Sequence, residues 1–222
     1  MHTRNSMPHT RRHLPQNPLA VCSFAEAGDR AVALADINEE NAQKAAETAR
    51  KYATHPNFRT LIIGVDVADA ESVQKMIDVT AKELGRIDYA VNGAGVQSSS
   101  SLFFFGTFSI SCSVETKKLI YIYIYIDACQ YQRPHALRAG RNQRHARGVI
   151  LNVGSADSYA GLPAKTAYTV SKHAVMGLTK IAALDHAADG IRVNAACPTW
   201  VRTPMVEEEC RRNPTVMQMG ES

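Results

Sequence analysis

Val149-Ile-Leu-Asn-Val-Gly-Ser155 is a run of branched apolar residues closing in a small-residue turn. This composition predicts a buried strand over Val149–Val153. A long helix is expected next, from about Thr166 to Ala187. Ile191-Arg-Val-Asn-Ala-Ala196 then reads as another strand, running into Pro198. Near-continuous apolar strands separated by helices point to a parallel sheet covered on both faces, an α/β fold.

The same rhythm fills the chain from Leu19 to Gly95. Ala20–Ala27 is a short helix that Gly28 stops. Ala31-Val-Ala-Leu-Ala35 is a strand ending at Asp36. Asn38–Tyr52 is polar but carries Ala42, Ala45, Ala46 and Ala49 on one stripe, an amphipathic helix. Thr60–Val65 is a strand followed by Asp66. Asp69 is placed to cap a helix bearing Val73, Met76, Ile77, Thr80 and Leu84. Ile87–Val91 is a strand leading into Asn92-Gly-Ala-Gly95.

Residues 97–147 break the rhythm. A serine run, an aromatic run and an Ile/Tyr alternation at 120–126 follow one another. Alternation normally separates an apolar from a polar face, and here neither face is polar. About Gln97–Asp127 reads as intron-like sequence retained in the reading frame, or else as an unusual insertion loop. The expected organisation is a basic, disordered segment over 1–18 and one domain over 19–222, interrupted at about 97–147.

Bulk composition sets few limits. The 222 residues are 45% hydrophobic, enough for a core, and the net charge of +4 demands neither nucleic acid nor an anionic membrane. The five cysteines are odd in number and form no CxxC pair, as expected of reduced thiols in a cytoplasmic protein. Arg4, Arg11 and Arg12 with no acid before Glu26 leave a mitochondrial transit peptide as the alternative. No apolar run approaches the roughly 20 residues of a membrane-spanning helix. The histidines form no metal-binding motif.

Chemistry concentrates in Tyr168-Thr-Val-Ser-Lys172, with Ser155 thirteen residues upstream. Positions i and i+4 share a helix face, so phenol and ammonium can enter one site. A phenol, with a reference pKa of about 10, is a poor base at neutral pH, and a nearby cation stabilises its phenolate. Ser155 could hydrogen-bond a substrate oxygen that Tyr168 protonates or deprotonates. Asp36, closing a strand, can accept hydrogen bonds from both ribose hydroxyls and would repel a 2′-phosphate, which favours NAD over NADP. Alternatively, Asp36 caps the helix that starts near Asn38.

Taken in order, Asn92-Gly-Ala-Gly95, Asn152-Val-Gly-Ser155, Tyr168-x-x-x-Lys172 and Arg192-Val-Asn194 with Pro198-Thr-Trp-Val201 and Thr203 resemble the short-chain dehydrogenase/reductase family. The resemblance covers about 19–96 and 148–206. It implies a Rossmann-type doubly wound parallel sheet with flanking helices, an NAD or NADP cofactor, and interconversion of an alcohol and a carbonyl. Ser155 would orient the carbonyl, Tyr168 would be the acid/base, and Lys172 would assist Tyr168 and hold the nicotinamide ribose. Asn92, Gly93 and Ala94 would line the adenosine side, and Asp66 and Val67 would flank the adenine. Pro198, Thr199, Val201 and Thr203 would contact the nicotinamide end. A homo-oligomer through the helix carrying Tyr168 is also implied. Leu162, Pro163 and Trp200 are expected to form an apolar wall for a small-molecule substrate.

The chain departs from the family pattern. The glycine-rich turn that admits the pyrophosphate is replaced by residues with three prolines and no glycine, Gly28 being the first. Residues 96–135 hold no Asn for the relay position. Thr199 stands where Gly is usual, and Ser222 comes before the last helix and strand of such a sheet. The expected sheet is therefore incomplete at both ends. Two other readings stay open: a catalytically inactive, aberrantly spliced isoform, and a basic nucleic-acid binder working through Arg133–Arg147.

Overall fold

The computed structural model describes residues 16–95, 148–161, 165–199, 201, 206–207 and 210–211. In order they form α1 (Gln16–Ala27), β1 (Ala31–Asp36), α2 (Glu39–Arg50), β2 (Arg59–Gly64), α3 (Ala70–Leu84), β3 (Tyr89–Asn92), β4 (Gly148–Val153), a single 3₁₀ turn (Ala156–Ser158), α4 (Thr166–Asp185) and β5 (Ile191–Ala196). The chain divides into two compact units. One takes in 1–34, 38–62 and 202–222, and the other 35–37 and 63–201.

In the first unit α1 packs on α2 through small residues. Val21, Cys22 and Ala25 meet Ala45 and Ala49, with Val32, Leu34 and Phe58 against them. Ala42, Ala45, Ala46 and Ala49 are all buried, which bears out the stripe read along this helix. Asn38, not Asp36, is the cap: its side chain accepts from the Asn41 N–H at 3.2 Å, a bond of the kind that contributes about 1 kcal/mol. Gly28 ends α1 at φ +92°, where a side chain would be strained. The helix starts at Gln16, inside the segment expected to be unstructured. Proline is tolerated in a first helical turn, which has no amide hydrogen bond to lose, so Pro18 does not forbid it.

In the second unit β3, β4 and β5 form one parallel ladder, Asn92 opposite Asn152 and Asn152 opposite Ala195. Ile150, Ile191 and Val193 pack under Ala182 of α4, with Leu178 alongside. Val65, Val73 and Ile77 make a second small core with α3. Asp69 caps α3 as its position predicts, accepting from Glu71 N–H at 3.1 Å.

The parallel strands and intervening helices agree with the expected α/β class, but the strands fall into two ladders. Among the described residues β1 pairs with β2 alone, and their flanking bonds (Arg59 to Arg30, Val65 to Asp36) keep one offset, so this pair is also parallel. β1 has no fully buried residue, whereas β4 alternates buried and half-buried. Residues 1–15 and 97–147, including the intron-like stretch and Arg133–Arg147, lie outside the described residues.

Candidate active site

Three parallel strands end side by side at Asn92, Val153 and Ala196. In such sheets ligands bind beyond the carboxyl ends of the strands. The ladder extends one step past β4 and β5. Gly154 N–H donates to Ala196 O at 2.7 Å, and Ala156 N–H donates to Pro198 O at 2.9 Å. The turn bearing Ser155 is thereby tied to the Pro198-Thr199 segment. Gly154 is required here: a Cβ would stand 2.6 Å from Cys197 Sγ and 2.9 Å from Ser158 Oγ.

Ser155 caps the 3₁₀ turn. Its Oγ accepts from Asp157 N–H at 3.2 Å, and Ser158 Oγ accepts from Ser155 N–H at 3.0 Å. The reciprocal pair leaves the Ser155 hydroxyl hydrogen as a donor for a ligand oxygen. Ser158 is buried and serves this cap. Asp157 is buried, only 6% exposed. Burial holds its carboxyl above the usual 3.8, against the pull of Lys165 and His173.

Tyr168 and Lys172 do share a face of α4. The Lys172 ammonium lies 5.7 Å from the Tyr168 ring centroid and donates to Val153 O at 2.8 Å. Val153 O is its one hydrogen-bond acceptor among the described residues. Burial lowers the Lys172 pKa below 10.5, partly offset by the Cys197 thiol nearby. Cys197 is half-buried, with Sγ 3.6 Å from Met176 Sδ. His173 is exposed, its Nδ1 at 3.0 Å from Thr169 O, in line with a structural role.

The remaining candidates divide by location. Asn92 ends β3 with Gly93 and Ala94 following, and Pro198 and Thr199 follow β5, all at the ladder's carboxyl edge. Val201 is exposed. Asp36 closes β1. Asp66 follows β2, where one carboxylate oxygen accepts from Ala68 N–H at 2.9 Å, and Val67 packs against the α3 core. Thr203 and the wall residues Leu162, Pro163 and Trp200 lie outside the described residues.

Two residues were not assigned from sequence. Asn152 Nδ2 donates to Thr179 Oγ1 at 2.9 Å, and Asn152 Oδ1 accepts from Asn92 Nδ2 at 2.9 Å. The signals were an amide inside an apolar strand and a threonine two helical turns beyond Lys172.

The residues beyond the ladder fit a dinucleotide: a donating serine and a lysine ammonium at the nicotinamide end, and the end of β3 at Asn92 on the adenosine side. The stretch ahead of α1 offers no glycine for the pyrophosphate.

A family model described as enoyl-(acyl carrier protein) reductase matches residues 20–221. The chain is 38% identical over 203 residues to a short-chain dehydrogenase, anuF, of Penicillium roqueforti, covering 89% of this chain and 74% of that protein. It is 35% identical over 192 residues to 2-(R)-hydroxypropyl-CoM dehydrogenase of Xanthobacter autotrophicus, covering 86% and 72%. Among solved structures, NAD+-bound xylitol dehydrogenase superposes with a TM-score of 0.69 at 25% identity, covering 87% of this chain and 70% of that one.

Proposed function

Because the chain belongs to the short-chain dehydrogenase/reductase family, we propose that it interconverts an alcohol and a carbonyl with Tyr168 as acid/base. The carrying observation is the Lys172 ammonium 5.7 Å from the Tyr168 ring, anchored on Val153 O two residues before Ser155. A nicotinamide cofactor bound beyond the ladder would accept or supply the hydride. Ser155, its lone pair turned to Asp157 N–H, donates its hydrogen to the substrate oxygen. Tyr168 takes the proton from an alcohol or returns it to a carbonyl. Lys172 stabilises negative charge on the phenol oxygen and donates to the ribose.

Asp36 supports NAD as the preferred form, since a carboxylate receives ribose hydroxyls and repels a 2′-phosphate. The capping of α2 is performed by Asn38. Asp66, Val67, Asn92, Gly93 and Ala94 complete the adenosine side, and Pro198, Thr199, Val201 and Thr203 the nicotinamide side. The xylitol and hydroxypropyl names of the matched proteins favour a small secondary alcohol as substrate. Val170, Ile181 and Leu184 are exposed on α4, which supports self-association through this helix. No helix among the described residues is long and apolar enough to cross a membrane.

One observation favours a second reading, an inactive member of the family: the first glycine is Gly28. Without backbone approach to the pyrophosphate, affinity for a dinucleotide falls. Titration of the full chain with NADH, read by its own fluorescence, decides between them. Saturable binding followed by turnover of small secondary alcohols supports the enzyme. Binding without turnover, or no binding at millimolar NADH, supports the inactive form.

A further inference from the structure

A one-way hydrogen-bond chain joins the catalytic helix to the strand that ends at Asn92. The Thr179 hydroxyl donates to Val175 O at 2.7 Å. A hydroxyl has one hydrogen, so its oxygen is left as an acceptor, and it receives Asn152 Nδ2 at 2.9 Å. With its amino group committed there, Asn152 turns its oxygen to β3, where it receives Asn92 Nδ2 at 2.9 Å. Asn152 and Thr179 are 4% and 6% exposed, so water does not replace these partners. Reversing one amide alone would set like groups of Asn92 and Asn152 face to face, and reversing both would require the Thr179 hydroxyl to give up Val175 O. Asn92 Oδ1 accepts from none of the described residues. Nor is it among their buried unpartnered atoms, which include only Thr169 Oγ1.

We infer that Thr179 is a positioning residue which, through Asn152, fixes the Asn92 amide with its oxygen offered as an acceptor at the carboxyl end of β3, for a hydroxyl of the cofactor's ribose. The inference rests on the dinucleotide reading given above. The relay also ties the helix of Tyr168 and Lys172 to the cofactor strand by bonds that favour one orientation as long as the Thr179 hydroxyl donates to Val175 O. Packing alone would not impose that orientation, because an Asn amide has nearly the same shape either way round.

The test uses the full chain, NADH titration and the side-chain amide signals of ¹⁵N-labelled protein. Thr179→Val keeps the shape and removes the acceptor, whereas Thr179→Ser keeps it. Thr179→Val is expected to weaken NADH binding about tenfold and to shift the Asn92 side-chain signals, and Thr179→Ser to stay within about twofold. In an Asn92→Ala background the Thr179→Val effect should vanish, since the relay then ends on nothing. Equal weakening in both backgrounds, or equal harm from Val and Ser, would overturn the inference. If the unaltered chain binds no NADH, the dinucleotide reading fails. The relay is then judged by the amide signals, and unmoved Asn92 signals in Thr179→Val remove it. Should Thr179→Val not fold, Thr179→Ala takes its place with the same expectations.

Discussion

Lys172 touches both halves of the candidate chemistry: its ammonium donates to Val153 O at 2.8 Å and stands 5.7 Å from the Tyr168 ring centroid. The backbone bond fixes the charge relative to the phenol. Tyr168→Phe deletes only the hydroxyl. Turnover is expected to drop by roughly 10²–10⁴ while NADH affinity changes less than about threefold. Steady-state kinetics beside the titration checks this, and retained turnover would take Tyr168 out of its role.

Gly154 and Cys197 form a second coupled pair. A methyl at Gly154 meets Cys197 Sγ at 2.6 Å and Ser158 Oγ at 2.9 Å, so Gly154→Ala should cost about 1–3 kcal/mol and disturb the Ser155 cap. Adding Cys197→Ala removes one of the two clashes. The double variant should recover part of the loss, seen as a non-additive urea midpoint.

Asp157 gives a pH signature. Its folded pKa is raised above 3.8 by burial. Below pH 3.8 both folded and unfolded chains carry the proton and nothing is lost. As pH climbs, the unfolded chain ionises first, so stability falls until the folded carboxyl has also ionised, and the penalty is constant above that. Asp157→Asn should therefore stabilise the protein at pH 7 and lose that advantage towards pH 3.8. Paired urea titrations at the two pH values measure it.

The proposed part of Asp36 in choosing NAD over NADP is open to direct measurement. Asp36→Ala removes charge-assisted bonds to the ribose hydroxyls and the repulsion of a 2′-phosphate. The ratio of kcat/KM for NAD over NADP is expected to fall by about tenfold or more. An unchanged ratio would place the discrimination elsewhere.

Much of this was legible in advance because it depends on local rules. Asp69 and the alanine stripe of α2 follow from capping and helical period, and Ile191–Ala196 from an apolar run bounded by Gly190 and Pro198. Tyr168 and Lys172 share a face because four residues are about one helical turn. The relay through Asn152 and Thr179 was hidden, since its partners are 27 and 60 residues apart and no period announces them. The division into two ladders was equally non-local: strand order is decided by pairing, which individual strands do not encode. Gln16–Pro18 read as unstructured with the basic segment before them, although a helix accepts Pro18 in its first turn.

β3 is four residues long and, among the described residues, is held by β4 alone. Short strands gripped from one side let go at the least free-energy cost. Asn92 sits at the tip of that strand. On warming, the rim of the sheet will loosen while the helices are still wound. Heat inactivation will therefore run ahead of the loss of helical circular dichroism, and a melting curve alone will overstate the temperature at which this protein can still work.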